Sequence, residues 1–431
     1  MPGPTTAPRP AASASPTVDP SSLPVIPAAE GFGITTPAGR GGQIIRVTSL
    51  LAVGPGSLQA ALQAEGARVI VFEVGGIIRL THDLEIENPF VTVAGQTAPA
   101  PGITLAGAGL SIRTHDVLVQ HVRVRVGDAP GGEEPGSRDG IEIVGSEDGS
   151  REAYNIIIDH CSVSWAIDEG LSTFSDNVHD VTIRNCIIAE NLSHSLHPKG
   201  EHSKGMLIGN FAQRIAVVGN LFAHNFARNP LIKGAASTVI VNNLVYNPNS
   251  RFVHLQDDID SGPSFASIVG NVFVPGPDTP GDTGAITLES GLAEGTRVYL
   301  ADNAAPTRPD DPWSIVDLRT EFDPRAAAPP VWPDEFAVLP SDQVLAWVLA
   351  NAGARPAGRD AVDARVAANV LAGDGQIIDS PAEVGGLPEA AAVTRTLALP
   401  ENPHGDDDGD GYTNLEEWLH ALAAEVEAGG K

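Results

Sequence analysis

The chain has 431 residues, 42% of them hydrophobic, with 54 acidic against 26 basic side chains and a formal net charge of −28. So large an excess of negative charge excludes a general affinity for nucleic acid or for an anionic membrane face, both of which require a cationic surface. With 46 glycines, 35 prolines and only 5% aromatic residues, the composition favours an all-β chain of short strands and turns, and no stretch approaches the roughly 20 apolar residues of a membrane span.

Residues 1–30 are rich in Pro, Ala, Ser and Thr; they cannot bury enough apolar surface to order themselves and are expected as a flexible tail. They lack the charged start and apolar run of a signal peptide, so an extracellular protein is read here without its leader. Gly56 to Gly66 carries Leu58, Ala61 and Leu62 at helical spacing behind Ser57, a suitable N-cap, and this predicts a short helix that caps the open end of the repeats downstream.

From Val117 to Asn303 one unit recurs: alternating apolar residues, a polar Asn or His, then more apolar residues, as in LVQHVRV, IIDHCSV, TIRNCII, VVGNLFA and IVNNLVY. The polar members His121, His160, Asn185, Asn220, Asn243, Asn271 and Asn303 succeed one another at intervals of 23 to 39 residues. That spacing fits a minimum coil of roughly 22 residues lengthened by loops. Period-2 alternation makes each unit a strand with one inward face, and the gaps leave no room for helical crossovers, so the units stack. The expected fold over residues 31–305 is a right-handed parallel β-helix, with the repeated Asn as a ladder of stacked amides. Cys161 and Cys186 fall at equivalent places on neighbouring coils, which allows either a disulfide or two stacked thiols.

Past Pro306 the repeat fades. A Pro-rich and helical extension is expected over 306–400, with two amphipathic helices within Ser341 to Gly373 that either pack on the coils or form a separate module. Over 401–431, DDDGDGYTNLEE has the spacing of a calcium-binding EF-hand loop: Asp406, Asp408 and Asp410 at positions 1, 3 and 5, Gly411 at 6, Tyr412 at 7 through its carbonyl, Asn414 at 9 and Glu417 at 12. The preceding ENPHG cannot form an entering helix, so the unit is half a hand that clamps the C-terminus.

Within this acidic chain, residues 199–233 reverse the sign locally, with Lys199, Lys204, Arg214, Arg228 and Lys233 against Glu201. A cationic groove of this kind suits a linear acidic polysaccharide. Four stretches carry a resemblance: GDAPGGEEPGSRDGIEI, IIIDHCSVSWAIDEGLS, HSKGMLIG and HNFARNPLIKG. Over roughly Gly31 to Asn303 the chain resembles the pectate lyases of polysaccharide lyase family 1.

The resemblance implies calcium-dependent β-elimination of α-1,4-linked galacturonate, and a capped solenoid is expected to be a monomer. It further implies Arg228 as the proton-abstracting base, Lys204 as the holder of the substrate carboxylate, and Lys233 as a substrate-binding cation. For Ca2+ it implies Asp139, with Asp168 and Glu169 in the loop where further acids are expected; the usual second acid four residues on is absent, since that position is Ser172. Asp159, in the IDH motif, reads as fixing a turn. His197, His202 and Asn229 are expected to hydrogen-bond the sugar, and His194 shares the same polar loop. Two other classes compete: a polygalacturonase-type hydrolase, which needs paired carboxylates and no metal, and a non-catalytic polysaccharide-binding solenoid.

Overall fold

The alternating units all become strands, and the chain visits three sheets in turn. The computed structural model describes residues 22–428 apart from 147, 175, 307–309 and 335. The first sheet stacks ten parallel strands from Gln43–Val47 to Arg297–Ala301; the second stacks eight, from Val74–Arg79 to Val272–Val274; the third stacks nine, from Leu84–Ile86 to Val316–Leu318. One full coil is Ala153–Asp159, Ser162–Ser164 and Glu169–Phe174, and the next is Val178–Arg184, Ile187–Ala189 and Lys204–Ile208. This is the expected right-handed parallel β-helix. Among the described residues no helix is long and apolar enough to cross a membrane.

Alternate residues such as Ile156, Ile158, Val181, Ile183, Ile215 and Val217 fill the interior. Their neighbours face outward, yet Ile157, Ala216 and Val239 are also buried, because the outer face of the first sheet is covered. Val25, Ile26 and Ile34 lie over Ile157 on one side, while Trp332, Phe336 and Val338 lie over Val239 and Val241 on the other. The flexible-tail reading therefore needs correction for residues 22–30, since Val25 and Ala29 are buried; residues 1–21 lie outside the described residues. A sheet buried on both faces explains why its strands read as nearly continuous apolar runs.

The seven polar bend residues form two columns. By register, His121, His160 and Asn185 stack with Gly219, Asn242, Gly270 and Asp302, all with positive φ between 47° and 67°. Asn220, Asn243, Asn271 and Asn303 sit one residue later and stack on Cys186 and Cys161. This second column is the true ladder: Asn220 N–H and Nδ2 both donate to Asn243 Oδ1 at 2.9 Å, Asn243 repeats this on Asn271, and Asn271 on Asn303. Its upper end continues through Cys186, whose N–H donates to Asn220 Oδ1 at 2.8 Å, and Cys161, whose N–H points at the Cys186 sulfur. Both cysteines are free thiols, serving as apolar rungs.

Helix α1 (Leu58–Leu62) starts at Ser57, whose hydroxyl accepts from Ala60 N–H, and buries Leu58, Ala61 and Leu62 in the first coils. Helices α2 (Ser341–Asn351) and α3 (Ala361–Ala372) bury Val344, Val348, Val366 and Val370 on the outer face of the second sheet, against Ile187, Leu221 and Leu244. There Asp363, fully buried, faces Arg125 at 2.5 Å. The extension then returns toward the N-terminal coils: Val393–Thr394 pairs antiparallel with Val74–Gly75, and α4 (Asn414–Glu427) sets Leu415 and Leu419 on Val69, Val71 and Ala94. The extension thus lies along the solenoid.

Candidate active site

The third sheet carries the chemistry on its entry edge. Register places Glu169 beside Lys204 in the next coil, Lys204 beside Ala227 in the coil after, and Asp139 two residues ahead of the pairing Ile141 with Leu171, hence level with Glu169. Two acids and then two bases, Lys204 and Arg228, therefore succeed one another along four coils. Each of the first three is followed by a glycine. A methyl group at Gly140 would collide with Gly170 O, one at Gly170 would meet Gly205 O at 2.8 Å, and one at Gly205 would meet Arg228 O at 2.5 Å. The glycines let the coils approach closely enough to bring the charged neighbours into one column.

A cavity of about 260 Å³ opens beside this column, lined in part by Asp139, Glu142, Asp168, Glu169, His202 and Arg228, whereas Lys204 lies outside its lining. Asp139 Oδ1 accepts Glu169 N–H at 2.9 Å, and Oδ2 accepts the Ser172 hydroxyl. Asp139, Asp168 and Glu169 bring carboxylate oxygens within 4.8 Å of one another. Burial and then the charge of Asp168 push the Asp139 carboxyl well above the usual range. Crowded carboxylates in a partly desolvated pocket are what a hard, oxygen-liganded divalent cation relieves, so these residues fit calcium.

Arg228 adopts a left-handed backbone conformation, φ 62°, which only a tightly held turn sustains in a non-glycine residue. Its Nη1 pairs with Glu169 Oε1. Burial lowers its pKa, against the opposing charges of Asp168, Asp139 and Asp258. Lys204 is likewise lowered by burial, and its ammonium sits 4.7 Å from the centre of the Phe226 ring. Lys233 is one strand's length beyond Arg228 and pairs with Asp258 at 2.6 Å; it does not line the cavity.

The histidines divide. His202 lines the cavity with its Nε2 2.6 Å from Asp168 Oδ1, and His197 stands with Nε2 at 3.6 Å from the same oxygen, its ring stacked on His202 at 3.7 Å. Both are buried, so they hold Asp168, and His197 does not reach the cavity. His194 is exposed beside Asp379. The expectation for Asn229 needs correction: it is buried, its Nδ2 donates to Arg251 O at 3.0 Å and its Oδ1 accepts from Asn225 at 3.1 Å, so its amide is committed to the wall.

No family model matches the chain. Whole-length relatives do: a protein named probable pectate lyase C from Aspergillus flavus is 33% identical over 427 residues, spanning 93% of this chain and 94% of its own, and one of the same name from Emericella nidulans is 31% identical over 431 residues, spanning 94% of each. The chain belongs to the pectate lyase family. It is thereby a polysaccharide lyase. A pectate lyase from Bacillus subtilis superposes with a TM-score of 0.54 at 14% identity over 78% of this chain and 99% of that one, and a Bacillus pectate lyase in complex with trigalacturonate with 0.53 at 15% identity over 76% and 98%; at such identity these establish the shared fold.

Beyond the pectate lyase column, the acidic loop of the extension is ordered by its own backbone. Asp406 accepts from Gly409 and Gly411 N–H at 2.7 and 3.0 Å, and Asp410 from Tyr412 N–H at 2.8 Å, bringing the carboxylates of Asp406, Asp408 and Asp410 within 4.8 Å of one another. Burial and the facing Asp408 and Asp410 raise the Glu417 pKa, whereas Glu416 closes a capping box with Thr413 at the start of α4. Among the described residues no helix enters the loop. Sequence reasoning noted Ser172 only as the position of a missing acid, not as a donor to Asp139, and overlooked Gly205; the recurrence Asp-Gly, Glu-Gly, Lys-Gly at the start of successive third-sheet strands was the signal available for Gly205.

Proposed function

We propose that the protein is a calcium-dependent pectate lyase that acts outside the cell, cleaving α-1,4-linked polygalacturonate by β-elimination to unsaturated oligogalacturonides. The observation that carries this reading is the column of Asp139, Glu169 and Lys204 at one level of consecutive coils, with Arg228 one residue past that level in the next coil and an open cavity lined by Asp139, Glu169 and Arg228. Asp139, Asp168 and Glu169 would hold the ion, with Ser172 fixing Asp139 in place of a further acid. A calcium ion held by these acids would supply a Lewis acid toward the substrate's carboxylate, making the C5 proton more acidic.

The chain's own residues supply the rest. Lys204, kept from folding away by the Phe226 ring, neutralises the uronate carboxylate and so stabilises the enolate-like state that forms when C5 loses its proton. Arg228 takes that proton. Burial favours its neutral form, and because Asp139, Asp168 and Asp258 oppose this, neutralising those acids moves Arg228 further toward a base; activity then rises with alkaline pH. As the C5–H bond breaks, its electron pair forms the C4=C5 double bond and the C4–O bond to the leaving sugar breaks. Lys233, beyond Arg228, contacts the next uronate after release from Asp258. Half a calcium-binding hand at 406–417 would clamp α4.

Incubation with polygalacturonate, with and without chelator, tests the reading. A chelator-sensitive rise in ultraviolet absorbance from the unsaturated uronide supports it. Reducing ends without absorbance would mean hydrolysis, and neither signal would mean binding alone.

A further inference from the structure

A second cluster of ligating side chains lies away from the cavity, where α4 ends on the coil bends. His121 and His160 occupy equivalent left-handed bend positions of neighbouring coils, so their rings project outward and stack with centroids 5.3 Å apart. Asp159 precedes His160, and Glu427 reaches the pair from the last turn of α4. Ligand atoms of all four residues lie within 4.8 Å of one another.

Three features point to an ion. His121 Nδ1 lies 2.8 Å from Ala354 O; a carbonyl only accepts, so Nδ1 carries the proton and Nε2 faces inward. That Nε2 is fully buried and, apart from the Glu427 carboxylate it faces, has no hydrogen-bond partner among the described residues. A second shell that fixes a histidine's tautomer in this way is the usual support for a metal ligand. Asp159 is fixed likewise: Gln120 Nε2 donates to its Oδ2 at 2.8 Å, leaving Oδ1 toward the cluster. Finally, His160 Nδ1 to Asp159 Oδ1 is 3.0 Å, His121 Nε2 to Glu427 Oε1 is 3.2 Å and His160 Nδ1 to Glu427 Oε1 is 3.5 Å. Four N or O ligands at ordinary zinc distances in a tetrahedron have edges of about 3.3 Å.

We propose that His121, Asp159, His160 and Glu427 form a zinc-type site that staples the end of the C-terminal helix to the solenoid. Two imidazoles and two carboxylates match the borderline preference of Zn2+ and not the all-oxygen shell of calcium. The competing arrangement, two protonated histidines paired with the acids, stacks two cations on each other beside Arg184, whose Nε is 3.5 Å from Asp159 Oδ1. With zinc both rings stay neutral, and the ion's two positive charges offset Asp159 and Glu427.

The full-length protein, stripped with chelator and dialysed, is titrated with Co2+ as a spectroscopic probe and with Zn2+ by calorimetry. We expect a tetrahedral Co2+ visible spectrum displaced by Zn2+, and thermal unfolding raised by several degrees at saturating Zn2+. Glu427→Gln, at the partly exposed end of α4, and His160→Gln are each expected to weaken Zn2+ at least tenfold and abolish the tetrahedral spectrum. His202→Gln, at the other histidine cluster, is expected to leave both unchanged. Absence of a tetrahedral spectrum, its survival in Glu427→Gln when circular dichroism shows that variant folded, or its loss in His202→Gln would each overturn the assignment. None of these readouts depends on lyase activity.

Discussion

Replacing Arg228 with alanine separates two roles that its contact with Glu169 joins. In the structure the guanidinium pairs with Glu169 Oε1, with the Arg228 side chain a quarter exposed and Glu169 nearly buried. Under the proposed function calcium and Arg228 would compete for one carboxylate, and removing the arginine should help the ion while ending proton abstraction. A charge-assisted hydrogen bond contributes about 1.5–3 kcal/mol; discounting for the exposure of Arg228 leaves about 1–2 kcal/mol, or roughly 5- to 30-fold tighter calcium binding. Turnover on polygalacturonate should fall by about 10²- to 10⁴-fold, the range for losing a general base. Calorimetric titration of calcium into both proteins, beside an absorbance assay, reads the two effects. Calcium affinity that is unchanged or weaker in Arg228→Ala would refute the reasoning, since Glu169 would then not be a shared ligand.

Other outcomes rest on the same structure. Asp363→Ala leaves Arg125 buried with only the partly exposed Asp360 facing it and should destabilise the protein by about 3–5 kcal/mol, visible in urea unfolding. Asn243→Ala removes the acceptor for both Asn220 donors and should cost about 2–4 kcal/mol; an unchanged midpoint would mean that the ladder is not a stabilising element. Burial lifts the Asp83 pKa from 3.8 to about 6, opposed by its bond from Gly109 N–H and aided by Glu133. Because the folded form holds the proton more tightly than the unfolded chain, stability falls as pH rises from about 4 to about 6. Asp83→Asn keeps the acceptor and should be more stable than the parent by about 1–2 kcal/mol at pH 7, after discounting for partial exposure, with the gain gone below pH 4. Thermal melts across that range check it.

The coils were legible because period-2 alternation and short gaps admit little besides stacking. Their register was less so. His160 and Asn220 look alike in a string of apolar residues, yet one sits at the left-handed bend and the other points inward one residue later; only pairing with the neighbouring coils separates them. The charged column was readable from motif likeness: Asp139, Glu169 and Arg228 line one cavity, and Lys204 pairs with Glu169 in the neighbouring coil. Asn229 was misread because adjacency to Arg228 says nothing of side-chain direction, which alternates along an extended chain. The amphipathic helices of the extension were visible, but their docking depends on Arg125 meeting Asp363 from a distant part of the chain, and no local pattern carries that.

The site's location depends on backbone spacing more than on its charges. Carboxylates and cations repel or pair wherever solvent lets them, so holding Asp139, Glu169 and Lys204 at one level, with Arg228 one residue past it, requires coils that cannot drift apart. Gly140, Gly170 and Gly205 impose that condition, since each would strike the next coil's backbone if it carried a side chain. Parallel strands about 4.8 Å apart then set the charges at that interval, close enough for Asp168 to press on Asp139 and for Arg228 to reach back across a coil to Glu169. The tension between like charges on the upper coils and opposite charges on the lower ones is thus built into the stacking. It gathers Asp139, Asp168 and Glu169 at the acidic end and holds the Arg228 guanidinium of the basic end on Glu169.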